Sequence, residues 1–414
     1  MGWSLSGSHH QVSSYIWQSG GSSQKHFSSY YSWLERSMYP KLDKLWEALI
    51  RKAISYVPEN TPLVIKIDDS SRKKRGKKIE GASSYRNGAP VARQEQRSIY
   101  GINIVIATLD IPIRGRKGGY LPIGMGCAVY VKSKEAQELG QPYYRRSELA
   151  RQMVDRIAKL APERTLWVIA DGAYATKYFL RELPSHVTVI SRLPIDSKIY
   201  AQPTPKVPGT PGPQAKKGKL IGSAKRLQHQ IPNWHDHSQE RHTQWHAVQG
   251  LWHTVLPTIL LHGVMVKRDS DYSGPKKALE AFFSTDTSLA AEDILRIYAS
   301  RWGIEIFFRE AYLLYGLAQD HCRKYPRLVA INSLRLLFAA VQVFWFVDTC
   351  HTVGAPRLQT LRPWYRQKTL PSLRDVFTAS QEALAARGIT PTSGFWDHVS
   401  LFDTSFDPVD SMAA

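Results

Sequence analysis

Short apolar runs and stretches of helical spacing alternate along the first half of the chain. Leu63-Val64-Ile65-Lys66-Ile67 is apolar and β-branched and runs into Asp68-Asp69. It reads as a buried strand that delivers carboxylates at its carboxyl end. Residues 101–108 and 121–131 predict two further strands, and 148–160 predicts a helix. Leu166–Ala170 predicts a strand ending at Asp171, 176–183 a helix and 186–191 a strand. Three early strands followed by strand-helix units predict a mixed α/β sheet flanked by helices.

Residues 12–17 and 27–56 have helical spacing, separated by Gly20-Gly21-Ser22-Ser23. Two helices in this place are compatible with DNA contact or with a lid on the next domain. A polar loop is predicted after Asp69. Residues 196–230 carry Pro203, Pro205, Pro208, Pro211 and Pro213 among lysines, the composition of an extended, solvated segment. Residues 252–267 and 281–284 look strand-like. One long helix is then predicted from a cap at Thr287 or Ser288 to Tyr315. Residues 328–347 are apolar with the single charge Arg335, long enough to cross a membrane. Asn332, Arg335 and Gln342 in mid-span make a buried core helix the better reading.

Composition narrows the partners. The 414 residues are 43% apolar and 22% charged, which excludes disorder, collagen and small disulfide scaffolds. Lys and Arg number 55 against 35 Asp and Glu, a formal net charge of +20. So basic a chain points to a polyanion, nucleic acid first and an anionic membrane surface second. The charge is concentrated near Asp68: Arg72, Lys73, Lys74, Arg75, Lys77 and Lys78 follow it closely and are read as contacts to flanking duplex. Cys127, Cys322 and Cys350 are far apart, which excludes a thiolate-built metal site and argues against a disulfide framework. The N-terminus opens polar, without a basic-then-apolar signal pattern.

Asp68 and Asp171 each end a predicted strand, where ligands bind in open sheets. Two carboxylates brought together in a basic protein call for a divalent cation, and hard oxygen donors suit Mg²⁺ or Mn²⁺. The alternative is that each Asp only caps a turn. Tyr298, Arg301, Glu305, Phe308 and Tyr312 share one face of the predicted long helix. That stripe is either an internal ion pair or a third carboxylate, Glu305, with Arg301 and Tyr298 holding phosphate oxygens. Trp302 lies about 100° round the helix from Arg301, beside the site. It is either a core residue or one that handles a DNA end. His229, His235, His237, His242, His246 and His253 cluster before residue 254. No acidic or thiolate partner is spaced for zinc, so with Trp234, Trp245 and Trp252 they read as a DNA-facing surface.

These stretches resemble a known family. Ile67-Asp68-Asp69-Ser70, Ala170-Asp171-Gly172-Ala173-Tyr174-Ala175, Ser191-Arg192-Leu193 and the run from Tyr298 to Glu310 are similar to insertion-sequence DDE transposases. The similarity is to the group with a Y-R-E signature (IS-four-like and IS-seven-oh-one-like), and it covers about residues 60 to 345. It implies an RNase H-like fold with a β-rich insertion between the second Asp and the Glu. It also implies Mg²⁺, with Mn²⁺ able to substitute, held by Asp68, Asp171 and Glu305, and Asp68 rather than Asp69 as first ligand. Two ions would clamp an in-line displacement at a phosphodiester. The expected activity is cleavage of transposon ends and strand transfer to target DNA, by a homodimer or larger assembly on DNA. The expected setting is the cytoplasm of a bacterium or archaeon, at the nucleoid and without a membrane. In hairpin-forming relatives an aromatic near Trp302 receives a flipped base. The family often carries Lys where this chain has Tyr312.

The expected organisation is an N-terminal helical region over 1–60, with possible DNA contacts, and a core in two parts, 61–195 and 284–347. A Pro/Lys-rich and then β-rich insertion over 196–283 separates the two parts, and 348–414 forms a C-terminal region. Three other classes stay open: a catalytically silent DNA-binding protein of the same fold, a nuclease without strand transfer, and a peripheral membrane protein.

Overall fold

A computed structural model describes residues 11–18, 21–86, 98–113, 118–206, 211–272, 274, 276–352 and 370–386. Most of the expected C-terminal region 348–414 lies outside the described residues.

Among the described residues twelve strands join in one mixed sheet. Its first half comprises β1 (Leu63–Lys73), β2 (Ser83–Arg86), β3 (Ser98–Pro112), β4 (Tyr120–Tyr130), β5 (Leu166–Ala170) and β6 (Val187–Arg192). β1 is central. It runs antiparallel to β3 and parallel to β5, β5 runs parallel to β6, and β4 pairs antiparallel on the far side of β3. The arrangement is consistent with an RNase H-like DDE domain. The second half comprises β7 (Ile199–Tyr200), β8 (Leu220–Gly222), β9 (His235–Asp236), β10 (Thr243–Leu251), β11 (Leu260–Arg268) and β12 (Leu279–Ser284). β12 pairs antiparallel with β6 through Phe282–Arg192 and Ser284–Ile190. The strands between the second Asp and the Glu therefore extend the central sheet.

The central strands are the most apolar stretches, as strands covered on both faces must be. Leu63, Ile65 and Ile67 of β1, Ile102 to Leu109 of β3, and Val168 to Ala170 of β5 are buried. Helix α1 (Leu42–Ile54) buries Trp46, Leu49, Ile50 and Ala53 in the same core. With Val12 and Ile16 also in that core, the N-terminal helices pack as a cover on the sheet. Helix α2 (Arg146–Leu160) turns Ala150, Met153, Val154 and Ile157 inward at helical spacing. Glu148 accepts the backbone N–H of Arg145 at 2.7 Å and closes its first turn.

Several sequence-based expectations differ from the structure. β1 continues past Asp68 to Lys73, so the basic run begins inside a strand. Pairing with β3 carries it on, down to Lys73 opposite Gly101, where a side chain would strike the Arg72 carbonyl. The long helix is two helices, α3 (Ala291–Ala299) and α4 (Trp302–Tyr315). It starts later than expected because Asp286 accepts from the Ser288 backbone and hydroxyl and holds a turn there. The expected helix over 27–56 is also interrupted, by a π turn at Leu34–Met38 and a 3₁₀ turn containing Pro40. The expected single strand over 252–267 is a loop followed by β11, and its partner β10 was not foreseen.

Helix α5 (Tyr325–Thr352) contains a window long and apolar enough to cross a membrane, and that window is 72% buried. It packs on β4 and on α6 (Leu373–Ala385). Key mid-span polar groups find partners inside the protein. Arg335 pairs with Asp320 at 3.1 Å, both fully buried, and Asn332 donates to Asp320 Oδ2 at 3.1 Å.

Candidate active site

The site forms where β1 and β5 meet the junction of α3 and α4. Successive side chains of a strand point to opposite faces, so Asp68 and Asp69 separate. Asp68 faces the α3–α4 junction. Arg301 donates from Nη1 to Asp68 Oδ2 at 3.0 Å and from Nη2 to Glu305 Oε1 at 2.5 Å. Tyr298 donates to Asp171 Oδ1 at 3.5 Å. Asp69 faces the other way, where Arg146 (2.8 Å), Asn103 (2.6 Å) and Tyr174 Oη (2.9 Å) hold it. The structure thus brings together Asp68, Asp171, Tyr298, Arg301 and Glu305, and turns Asp69 into a half-buried tie between β1, β3 and α2.

The break between α3 and α4 sets this geometry. Ser300 and Arg301 keep helical angles but close a tight turn. Tyr298 stays on the last turn of α3 and Arg301 stands at the head of α4, one turn before Glu305. Helix α4 lies close upon β1. A side-chain carbon at Gly303 would sit 2.9 Å from Lys66 Nζ and 3.0 Å from Tyr120 Oη. Lys66 is itself fully buried, bonded to Asp110 at 2.6 Å and stacked under Tyr120. Glycine at 303 is what lets Glu305 descend toward Asp68.

The electrostatics are those of buried carboxylates held close together. Burial pushes the Asp68 pKa up to about 7, and Asp69 and Asp171 add to the rise. The Asp69 backbone N–H and Arg301 oppose that rise without cancelling it. Burial likewise raises Tyr298 to about 12, so its hydroxyl remains a donor at neutral pH. Burial lowers the Arg301 pKa, but Tyr298, Glu305 and Asp68 outweigh it and hold it above its ordinary value.

The three carboxylates are hard oxygen donors of the kind that hold Mg²⁺ or Mn²⁺. Their oxygens do not lie mutually within 4.8 Å, and the Arg301 guanidinium stands between Asp68 and Glu305. Asp68, whose pKa burial raises even with Arg301 beside it, fits a place for a further cation.

Trp302 is 50% exposed beside this junction, which removes its reading as a core residue. In the basic run, Lys73, Arg75, Lys77 and Lys78 are exposed. Arg72 stacks over the Tyr312 ring at 4.2 Å. Lys74 departs from the expected DNA contact. It turns inward to donate to the Asp320 carbonyl at 2.5 Å, because the carboxylate of Asp320 lies fully buried beneath it.

The expected histidine surface divides. His235 stacks on Trp245 at 4.5 Å, and His246 lies beside Trp234. Trp252 is buried against Phe283 and does not face solvent. His242 does have acidic partners: β10–β11 pairing brings Asp269 and Asp271 within 4.8 Å of it, all three exposed. That proximity arises from a hairpin and not from spacing on one helix, so sequence could not reveal it.

Residues 145–340 match the family model described as Transposase DDE domain. The match covers Asp171, Tyr298, Arg301 and Glu305 and begins after β1, so Asp68 joins them by geometry. No curated protein matches the chain.

Proposed function

We propose that the protein is an insertion-sequence transposase of the Y-R-E group with an RNase H-like core. It cuts transposon ends and joins them to target DNA. The observation that carries this reading is the single guanidinium of Arg301 bridging Asp68 and Glu305 beside the Tyr298–Asp171 pair. Strand order around β1 and the DDE match over residues 145–340 support it.

Asp68, Asp171 and Glu305 would hold Mg²⁺ or Mn²⁺, which would activate a water or the 3′-hydroxyl of a DNA end as nucleophile and stabilise the leaving oxygen. The chain's own groups do the rest. Arg301 stays cationic and offers a planar fork of donors to the phosphate oxygens of the bound strand. Tyr298 keeps its proton and donates to the same phosphate. Trp302, exposed beside them, offers an indole face to an unstacked base. Lys73, Arg75, Lys77 and Lys78 meet the flanking duplex, and the working form on DNA is a dimer or larger assembly.

The test is incubation of the protein with supercoiled DNA carrying both ends of its own element, in Mg²⁺, Ca²⁺ and EDTA. Cleavage mapping to the element ends in Mg²⁺, and absent in EDTA, is the expected result. Cleavage that persists in EDTA contradicts the reading. Cut ends that never join target DNA would make the protein a nuclease.

A further inference from the structure

The basic strand end and helix α4 line a partly open cavity of about 790 Å³, of which the proposed chemistry uses only Lys73 and Arg75. Its walls include Arg72, Lys73, Arg75, Tyr312, His321 and Arg323. The acid in its wall, Asp320, is neutralised within the protein by Arg335 and Lys74. Among the described residues Arg72, Lys73, Arg75 and Arg323 have no carboxylate partner, so the cavity presents unmatched positive charge. It also presents a flat platform, the Arg72 guanidinium stacked on the Tyr312 ring at 4.2 Å. Burial lowers the Arg72 pKa, with Tyr312 opposing, so this cation is partly stripped of water before any ligand arrives.

Both walls of the cavity belong to elements that also carry the active site. Arg72 lies on the same face of β1 as Asp68, four residues on, which is about 13 Å along a strand. Tyr312 lies two turns beyond Glu305 on the same face of α4, about 10 Å. A strand with its scissile phosphate at Asp68 and Glu305 therefore reaches the cavity within a few nucleotides.

The geometry points to this cavity as a binding site for one or two unpaired nucleotides of the DNA strand running out of the active site. Tyr312 and Arg72 would stack a base, and Lys73, Arg75 and Arg323 would hold its phosphates. Its volume is that of a small-ligand pocket, too small for a duplex about 20 Å across. Charge alone would suit a duplex, but an aromatic–guanidinium platform suits an exposed base face. The inference rests on the reading of the protein as a DNA-processing enzyme.

The test compares binding, by fluorescence anisotropy without Mg²⁺, of a blunt DNA duplex and the same duplex with a short single-stranded overhang on either strand. The overhang should tighten binding about tenfold, the worth of one base–aromatic stack. Tyr312→Ala should erase that preference and Tyr312→Phe should keep it. Arg323→Glu, on the exposed rim, should weaken overhang binding more than blunt binding. Equal affinity for both duplexes, or a preference that survives Tyr312→Ala, overturns the pocket while leaving the transposase reading intact. No binding to either duplex overturns both.

Discussion

Arg301 reaches Asp68 across 233 positions of sequence and places its Nη1 3.0 Å from the carboxylate oxygen. The contact fastens the head of α4 to the middle of β1. It also sets a cation against the charge that Asp68 shares with Asp171 and Glu305. A guanidinium that contacts both Asp68 and Glu305 can pass to a phosphate oxygen when a metal takes over the carboxylates.

Arg301→Met removes that link. The loss of a charge-assisted contact of about 1.5–3 kcal/mol should lower cleavage roughly 10- to 100-fold or more. Without metal, Asp68 loses a counter-charge, so its pKa should rise further. Cleavage rates and carbon-13 NMR titration of labelled Asp68 check the two effects, and unchanged values for both would deny Arg301 its place.

Metal binding should depend on pH with a definite sign. The Asp68 pKa of about 7 means that protons compete with a metal below neutrality. Mg²⁺ or Mn²⁺ affinity should therefore rise from pH 5 to about 7 and level off above it. Calorimetry in buffers of different ionisation enthalpy should find about one proton released near pH 6. In the metal-free protein the raised pKa works in the opposite sense on stability. Its contribution is full below about pH 4, the unfolded value, and is lost as pH rises through about 7. Asp68→Asn should flatten that part of the pH–stability profile.

Much of the site could be read in the sequence because it is written in local spacing. Tyr298, Arg301 and Glu305 fall three and four apart, so one helical face is enough to group them. Asp171 ends a short apolar strand, and β5 has the bounds that pattern gives. Asp68 could be placed on a strand but not at its end. Ser70 to Lys73 is polar and basic, and only pairing with β3 keeps it extended, a tertiary effect that local pattern does not carry. The break at Ser300–Arg301 was hidden because both residues keep helical angles. The strand β10 was hidden because most of its residues are partly exposed, which blurs the alternation of a half-buried strand. The link from Lys74 to Asp320 spans 246 positions, and nothing in the composition of a basic run marks which lysine turns inward.

Gly303→Ala should be costly at a position whose backbone angles any residue could adopt. The added carbon meets Lys66 Nζ and Tyr120 Oη, and Lys66 cannot retreat because Asp110 holds it in a buried pair. Overpacking of this kind costs about 1–3 kcal/mol. Urea denaturation should show that loss, and cleavage should fall as Glu305 is pushed from Asp68. Stability and activity equal to the parent protein would mean that α4 is free to shift.

Arg335→Met should destabilise the protein by up to about 3–5 kcal/mol, since it leaves the fully buried Asp320 carboxylate only Lys74, 3.9 Å away, as a charged partner. Lys74, which leans on the same group, should become more mobile, and hydrogen exchange should rise across residues 72–78. Chemical denaturation and exchange mass spectrometry check this. A variant within about 0.5 kcal/mol of the parent would remove the pair from the account of the fold.

The central claim is that Asp68, Asp171 and Glu305 act as one metal-holding set. Single-turnover cleavage of element-end DNA by Asp68→Ala, Asp171→Ala and Glu305→Ala, with DNA affinity measured on the same preparations, tests it most directly. The account predicts that each substitution abolishes cleavage in Mg²⁺ while DNA affinity stays within a few fold of the parent. Near-normal cleavage by any one of the three, or cleavage abolished by Asp69→Ala but not by Asp68→Ala, would contradict it.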